Sequence, residues 1–504
     1  MSTLLLISVV IIATCGLVYE LIAGTAASYL LGDSVTQFST VIGCYLFAMG
    51  AGSWMSKYIT RNLIGYFVRI EILVGAIGGS SAMILFLLFD QVFSFRFLLY
   101  FLVFVIGALV GAEIPLLLRI LKDKFEFRDL VSRVLAFDYL GALFASVLFP
   151  LLLVPYLGLI KSAFLFGMLN TGVAVWAVYA LKDEVPALLV HRFAAIGTLL
   201  ALTFGFIYSE KIMSIAESAA FPGRVIYSQS TPYQRIVLTK AGQDLRLFLN
   251  SNLQFSSVDE YRYHEALVHP AMAAHPAPKS VLVIGGGDGL ALREVLKYDA
   301  VEKVTLVDLD PAMTDLFAGN ELLTALNASS LSSPKLAVVN KDAFIWLREQ
   351  LRLEKPPVFD VVINDVPDPS NFSIGKLYST TFFRQLQGVM DKDSLLVVQS
   401  TSPLVARKSF WCVNNTMESA GFKTAPYHAY VPAFGEWGYV LASFKDYAPP
   451  AKYPAGLRYV NATTAAQMFD FPPDMARVQT KVQRLDDQAL VRYFDQEWSD
   501  YLVY

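Results

Sequence analysis

The sequence predicts a multi-pass α-helical membrane bundle fused to a soluble α/β domain, which a small antiparallel β-sheet precedes. Three observations predict it. The 504 residues are 55% hydrophobic and only 16% charged, and their mean hydropathy of +0.49 lies above the usual range of soluble domains. That average hides a change of character: long apolar runs fill Met1 to about Tyr208, and ordinary soluble sequence follows from about Ser214. In the second half, short apolar strands alternate with helical stretches, the pattern of an α/β sheet.

Seven apolar runs approach the roughly 20 residues that a bilayer core demands. They are Leu4–Tyr29, Val35–Met55, Tyr66–Phe89, Phe95–Leu118, Leu135–Leu153, Ile160–Leu181 and Phe193–Tyr208. The first is too long, and lacks the basic flank, for a cleaved signal peptide. Basic residues gather after the second, fourth and sixth runs: Lys57, Arg61 and Arg69, then Arg119, Lys122, Lys124, Arg128 and Arg133, then Lys182 and Arg192. The other loops offer only Arg96 and Lys161. The positive-inside rule puts the basic loops and the N-terminus in the cytoplasm. Seven crossings then carry the soluble half to the outer face, and a re-entrant seventh run returns it. Four acids, Glu20, Glu71, Glu113 and Asp138, fall inside or at the ends of runs. Intramembrane carboxylates are costly, so they read either as a cation site or as hydrogen-bonded groups inside the bundle. Pro115, two residues after Glu113, is expected to kink its helix.

The net charge of −3 leaves no broad basic field to neutralise phosphates, which argues against a nucleic-acid partner. Cys15, Cys44 and Cys412 are too scattered for a disulfide framework or a zinc site. His269, His275 and His428 have no Cys or His at ligand spacing and read as packing or surface residues. No metal is expected.

After a linker near Ala219–Gly223, the runs Arg224–Tyr227, Gln234–Thr239 and Leu245–Leu249 read as the small antiparallel sheet. Asp259 to Ala274 reads as a helix. Val281–Ile284 is a continuous apolar strand, and Gly285-Gly-Gly-Asp-Gly289 opens a helix to about Tyr298. Val304–Val307 is the next strand, ending at Asp308; Lys335–Val339 precedes Asp342, and Phe359–Ile363 precedes Asp365 and Asp368. The tail carries an amphipathic helical run, Lys481–Trp498, expected to serve packing or a homo-oligomer contact.

This is a Rossmann-like, methyltransferase-type pattern with its own chemistry. Glycines Gly285 and Gly287 let the backbone turn tightly and approach a ligand. An acid about 20 residues on, here Asp308, can take both ribose hydroxyls. The spacing is G-x-G-x-G, and Asp288 inside the turn repels phosphate and attracts a cation. Both favour an adenosyl-sulfonium ligand over a dinucleotide. Ligands of open α/β sheets bind beyond the carboxyl ends of the strands. Asp288, Asp308, Asp342, Asp365 and Asp368 therefore share one rim, suited to a positively charged substrate.

The motifs Thr231-Pro-Tyr-Gln234, Gln254, Asp259-Glu-Tyr-Arg-Tyr-His-Glu265, Gly285–Gly289, Val307-Asp-Leu-Asp310 and Asp365-Val-Pro-Asp-Pro369 stand in the order seen in spermidine synthases. Leu377-Tyr-Ser379, Ala406–Trp411 and Pro426–Pro432 match further. Over Arg224–Phe444 the chain resembles the membrane-fused bacterial branch of the polyamine aminopropyltransferases, a multi-pass family of the inner membrane. The resemblance implies transfer of an aminopropyl group from decarboxylated S-adenosylmethionine, a co-substrate rather than a cofactor, to putrescine. The products are spermidine and methylthioadenosine. It also implies the roles. Gln234, Asp308, Asp342, Ala343, Gly285 and Gly287 meet the nucleoside. His264, Asp288, Asp368 and Tyr263 meet the amine, and Asp365 is the general base. The organisation it implies is a seven-helix membrane domain at 1–210, linker and small sheet at 211–275, Rossmann-like catalytic domain at 276–448 and tail at 449–504.

The chain departs from the family at Ala343, where Gly is common, at Asp308, where Glu is commoner, and at Phe434, where a Tyr hydroxyl often holds the acceptor. Glu436 stands close by as a replacement. Two other readings use the same features: an S-adenosylmethionine-dependent methyltransferase, and a membrane transporter or sensor that binds polyamines without turnover. The first does not need Tyr263-His264 together with the Asp365–Asp368 pair. The second predicts binding alone.

Overall fold

The computed structural model describes residues 2–31, 34–89, 95–122, 125–182 and 184–502. Lys124, counted above among the basic residues, lies outside them. The chain divides into two compact units, Met1–Pro232 and Tyr233–Tyr504.

In the first unit the apolar runs form long helices: Ser2–Leu31, Ser34–Met55, Leu63–Leu88, Phe95–Leu121, Phe127–Leu148, Gly158–Ala180 and Leu188–Ala220. By length and composition six helical stretches could cross a membrane, and the fifth of these, Phe127–Ala180, is 54 residues long. A nine-residue π-helix, Phe149–Leu157, and Gly158 at φ +68° divide that stretch in two. The helix Phe95–Leu121 runs on through Pro115. Small residues set the closest contacts: a Cβ on Gly52 would lie 1.8 Å from the Ala108 carbonyl oxygen, and one on Gly111 would lie 2.1 Å from that of Met49. The helices Ser34–Met55 and Phe95–Leu121 thus meet backbone to backbone, as small-residue faces allow. The strand Arg224–Ser230 (β1) ends this unit.

The second unit begins with three antiparallel strands, Arg235–Ala241 (β2), Asp244–Leu249 (β3) and Asn252–Ser256 (β4). β4 was not expected. The turn read at Leu249–Asn252 is a two-residue hairpin, with Asn250 and Ser251 at φ 50° and 67°, the left-handed pair that a tight β-hairpin uses. After the helix Glu260–Ala274 comes a seven-stranded sheet built from Ser280–Gly285 (β5), Lys303–Asp308 (β6), Leu336–Asn340 (β7), Val361–Asp365 (β8), Leu395–Gln399 (β9), Lys423–Val431 (β10) and Gly435–Ser443 (β11). Its order is β10-β11-β9-β8-β5-β6-β7. Strands β5 to β9 run parallel, β11 is antiparallel to β9, and β10 is antiparallel to β11. The chain reverses direction across the sheet at β5 and β8, the switch point where such sheets bind ligands.

Alternation explains the layers. Leu282, Ile284, Val362, Leu396 and Val398 enter the core on one face, and Val281, Val283, Val361, Ile363 and Val397 enter it on the other. The tail packs on both layers, through Leu490 on the first and through Val460, Ala465 and Met468 on the second. Its helix spans Ala489–Leu502 rather than Lys481–Trp498. Before it, Gln483 is buried and spends its amide on the Gly375 carbonyl and the Leu490 N–H. Glu497 accepts the N–H groups of Lys408 and Ser409 at 2.7 and 3.0 Å, which satisfies the open end of the helix Arg407–Ser419. The tail is a packing element of its own unit.

Candidate active site

The site grows from the turn after β5. Gly285, Gly286 and Gly289 all take positive φ, and a Cβ on Gly285 would lie 2.1 Å from the Asp365 carbonyl oxygen. Only glycine allows β5 and β8 to end so close together. Register supports the same join, since Gly285 pairs with Asp365 across the two parallel strands. Asp288 follows in the turn. Its carboxylate accepts the Leu290 N–H at 2.9 Å, and Asn327 donates to its carbonyl.

Asp308 ends β6. One carboxylate oxygen accepts the Gly287 N–H at 3.0 Å and the other accepts the Asp310 N–H at 2.9 Å. A Cβ on Gly287 would press within 2.6 Å of that carboxylate, so both glycine and acid are needed for the turn to reach it. Gln234 is brought to this corner and donates to Asp310 at 3.0 Å. Burial pushes Asp308 up to about 6, against the pull of its two N–H partners.

Asp365, at the end of β8, accepts a hydrogen bond from the Tyr263 hydroxyl at 2.7 Å. Burial raises its pKa, while the His264 cation and the Tyr263 hydroxyl draw it back. Asp288, close enough to feel both, is pushed by burial to about 6. Asp368, on the loop after β8, is pushed by burial to about 7 and is met by Gln399 at 3.3 Å and Thr401 at 3.4 Å. Gln399 also donates to the Val366 carbonyl and to Tyr378, whose hydroxyl donates to the Pro367 carbonyl. This ties down the loop that carries Asp368.

Two residues that the sequence reading left without a role give the site its cation. Glu260 takes both terminal nitrogens of Arg293 at 2.9 and 3.0 Å and receives His264 Nδ1 at 2.8 Å. Burial opposes a charged imidazole, but Glu260 overrides it, helped by Asp288 and Asp365, and His264 rises to about 9. The signal was in the sequence, since Glu260 stands four residues before His264 on one helix face.

The structure brings Asp288, Asp308, Asp365, Asp368, Tyr263 and His264 into one electrostatic neighbourhood at the strand ends. Asp342 is different. It caps the helix Ala343–Gln350 through the Phe344 N–H at 2.9 Å, and its other oxygen binds Lys376. Ala343, buried, opens that helix. Glu436 is met by His428 Nδ1 at 2.8 Å. Beside Tyr263 the surroundings are aromatic: the Phe434 ring lies 6.2 Å from Tyr263 and 5.1 Å from Trp437. His269 is buried between Glu294 and Tyr298.

Residues 260–452 match the family model of the spermine/spermidine synthase domain. The chain is similar to a polyamine aminopropyltransferase of Leptospira interrogans, with 53% identity over 99% of each chain. It is likewise similar to polyamine aminopropyltransferase 2 of Ralstonia nicotianae, with 52% identity over 99% of this chain and 98% of that one. A solved structure of spermidine synthase in complex with the transition-state analogue AdoDATO is 29% identical and covers 49% of this chain and 86% of that one, at a TM-score of 0.45.

Proposed function

The chain belongs to the spermine/spermidine synthase family and transfers the aminopropyl group of decarboxylated S-adenosylmethionine to putrescine; on that premise we propose that Asp365 is the general base. The observation that carries this reading is the Tyr263–Asp365 hydrogen bond of 2.7 Å at the carboxyl end of β8. An amine with a pKa near 10 is mostly protonated at neutral pH and must lose a proton before it attacks carbon. Asp365 takes that proton. The freed nitrogen forms a bond to the methylene next to sulfur, the carbon–sulfur bond breaks, and its electrons leave with methylthioadenosine. The sulfonium is a good leaving group, so alignment supplies much of the remaining acceleration.

Asp308 holds the ribose hydroxyls, with Gly285 and Gly287 giving the nucleoside room and Gln234 completing the corner. Asp342 and Ala343 meet the adenine edge, with Lys376 as the neighbour that the adenine amino group must share Asp342 with. Asp288, Asp368, Tyr263 and His264 receive the amine ends of the two substrates. Phe434 and Trp437 offer an apolar wall to the methylene chain of the diamine.

The helical unit is read as a multi-pass anchor in the bacterial inner membrane. Supporting this, large apolar side chains such as Phe97, Tyr156 and Phe193 point outward, more than 70% exposed, while Glu71 and Glu113 are buried inside. That is the reverse of a water-soluble bundle.

Asp365→Asn tests the catalytic assignment. It should lower turnover by about 10²- to 10⁴-fold, the usual weight of a general base, and leave nucleoside binding nearly unchanged. Turnover that survives the substitution would remove Asp365 from the role.

A further inference from the structure

Inside the helical unit, Glu71 is fully buried, and one of its oxygens accepts from the Asn170 amide at 2.7 Å. Its other oxygen has no partner among the described residues. Glu113, 1% exposed, also has an unpartnered oxygen, and the two carboxyl groups are close enough to act on each other electrostatically. Around them stand three more unpartnered polar atoms on side chains at most 1% exposed: the Tyr19 hydroxyl, the Thr171 hydroxyl and the Asn170 carbonyl oxygen. These groups come from four helices, Ser2–Leu31, Leu63–Leu88, Phe95–Leu121 and Gly158–Ala180.

Glycine makes the convergence possible. A Cβ on Gly75, one turn beyond Glu71, would lie 2.2 Å from the Thr171 hydroxyl, and one on Gly78 would lie 2.8 Å from the Tyr19 ring. The half-buried Asp138 acts electrostatically on Glu113 and extends the line of carboxyl groups outward. An apolar interior tolerates such groups only when charge and hydrogen bonds are matched. With both carboxyl groups ionised, acceptors would outnumber donors, and a cation with several N–H groups would supply what is missing. Among the described residues no set of three or more His, Cys, Asp or Glu could hold a metal ion.

We propose that Glu71, Glu113, Tyr19, Asn170 and Thr171 form a binding site for a primary ammonium group of a linear polyamine, separate from the acidic rim of the catalytic unit. The choice of polyamine rests on the reaction that the chain performs. The site itself rests on the helical unit alone.

Equilibrium binding of radiolabelled spermidine to the full-length chain in detergent tests this. The unaltered chain should show two classes of site. Glu71→Gln and Glu113→Gln should each weaken one class by about tenfold or more, the effect of losing a charge-assisted hydrogen bond. Both variants should still form methylthioadenosine within about twofold of the unaltered rate, since neither touches the catalytic unit. A single symmetric gel-filtration peak in detergent reports the folding of the helical unit, and the rate separates failure of this proposal from failure of the catalytic one. Should the glutamine variants not fold, Tyr19→Phe and Thr171→Val remove only a hydroxyl and should weaken the same class. A single class in the unaltered chain, or two classes that these substitutions leave unchanged, overturns the proposal. So does a second site that sodium fills and spermidine does not displace.

Discussion

Glu260 sits between Arg293 and His264, and it decides the charge of the imidazole. With Glu260 present, His264 holds its proton up to about 9; burial alone would drive it the other way. Glu260→Gln should therefore drop the imidazole pKa below its ordinary 6.5, and an NMR titration of the His264 ring reads this directly. A pKa that stays near 9 would mean that Asp288 and Asp365 suffice without Glu260. The carboxyl groups are raised as well, which for them favours the neutral form. Burial lifts Asp368 from 3.8 to about 7. Its folded value exceeds its unfolded one, so the stability it contributes is complete below about pH 4 and is lost as pH rises through about 7. The amine-binding role proposed for Asp368 has the reverse need, because it requires a charged carboxylate. Turnover should fall as pH drops below about 7, and Asp368→Asn should raise the unfolding temperature of the substrate-free chain more at pH 8 than at pH 5. An equal change at both pH values would contradict the assignment of a raised pKa to this residue.

The elements differ in how far they could be read beforehand. β5, β6 and β8 announce themselves as short apolar runs that end in glycine or aspartate, because a strand buried on both faces needs nothing else. β10 was hidden by Pro426 and by mixed polarity; it is the edge strand of the sheet, where proline is tolerated and one face stays wet. β4 was hidden by its brevity. The acidic rim was legible residue by residue, since each acid follows a strand end. The pairing of Asp342 with Lys376 was not, because it joins residues 34 apart through a loop. The glycine turn carries the sharpest prediction at this scale. Gly285→Ala must place a Cβ 2.1 Å from the Asp365 carbonyl at φ +76°, so β5 and β8 must part or the turn must unwind. The backbone strain alone costs about 1–3 kcal/mol. Calorimetry should show this loss, together with weaker nucleoside binding. A variant with unaltered stability and binding would mean that the turn is not the rigid cradle described.

For the whole molecule, the composition change near Tyr208 separated helical from α/β sequence without any motif. The helix Leu188–Ala220 is 33 residues long, far more than a re-entrant turn needs and enough for a full crossing. On the proposed reading as a membrane anchor, seven crossings would make the chain emerge on the membrane face opposite the N-terminus and the basic loops. Cysteines introduced at Arg61 and at Leu404, both exposed, should therefore react with an impermeant label from opposite faces of sealed vesicles. Labelling from the same face would reduce the crossings to an even number. The central claim concerns chemistry, and one assay addresses it: methylthioadenosine release by the full-length chain given decarboxylated S-adenosylmethionine and putrescine, with Asp365→Asn measured beside it. Equal amounts of methylthioadenosine and spermidine, both lost in the variant, are the predicted result. Methyl transfer from S-adenosylmethionine without methylthioadenosine, or undiminished release by the variant, would contradict it.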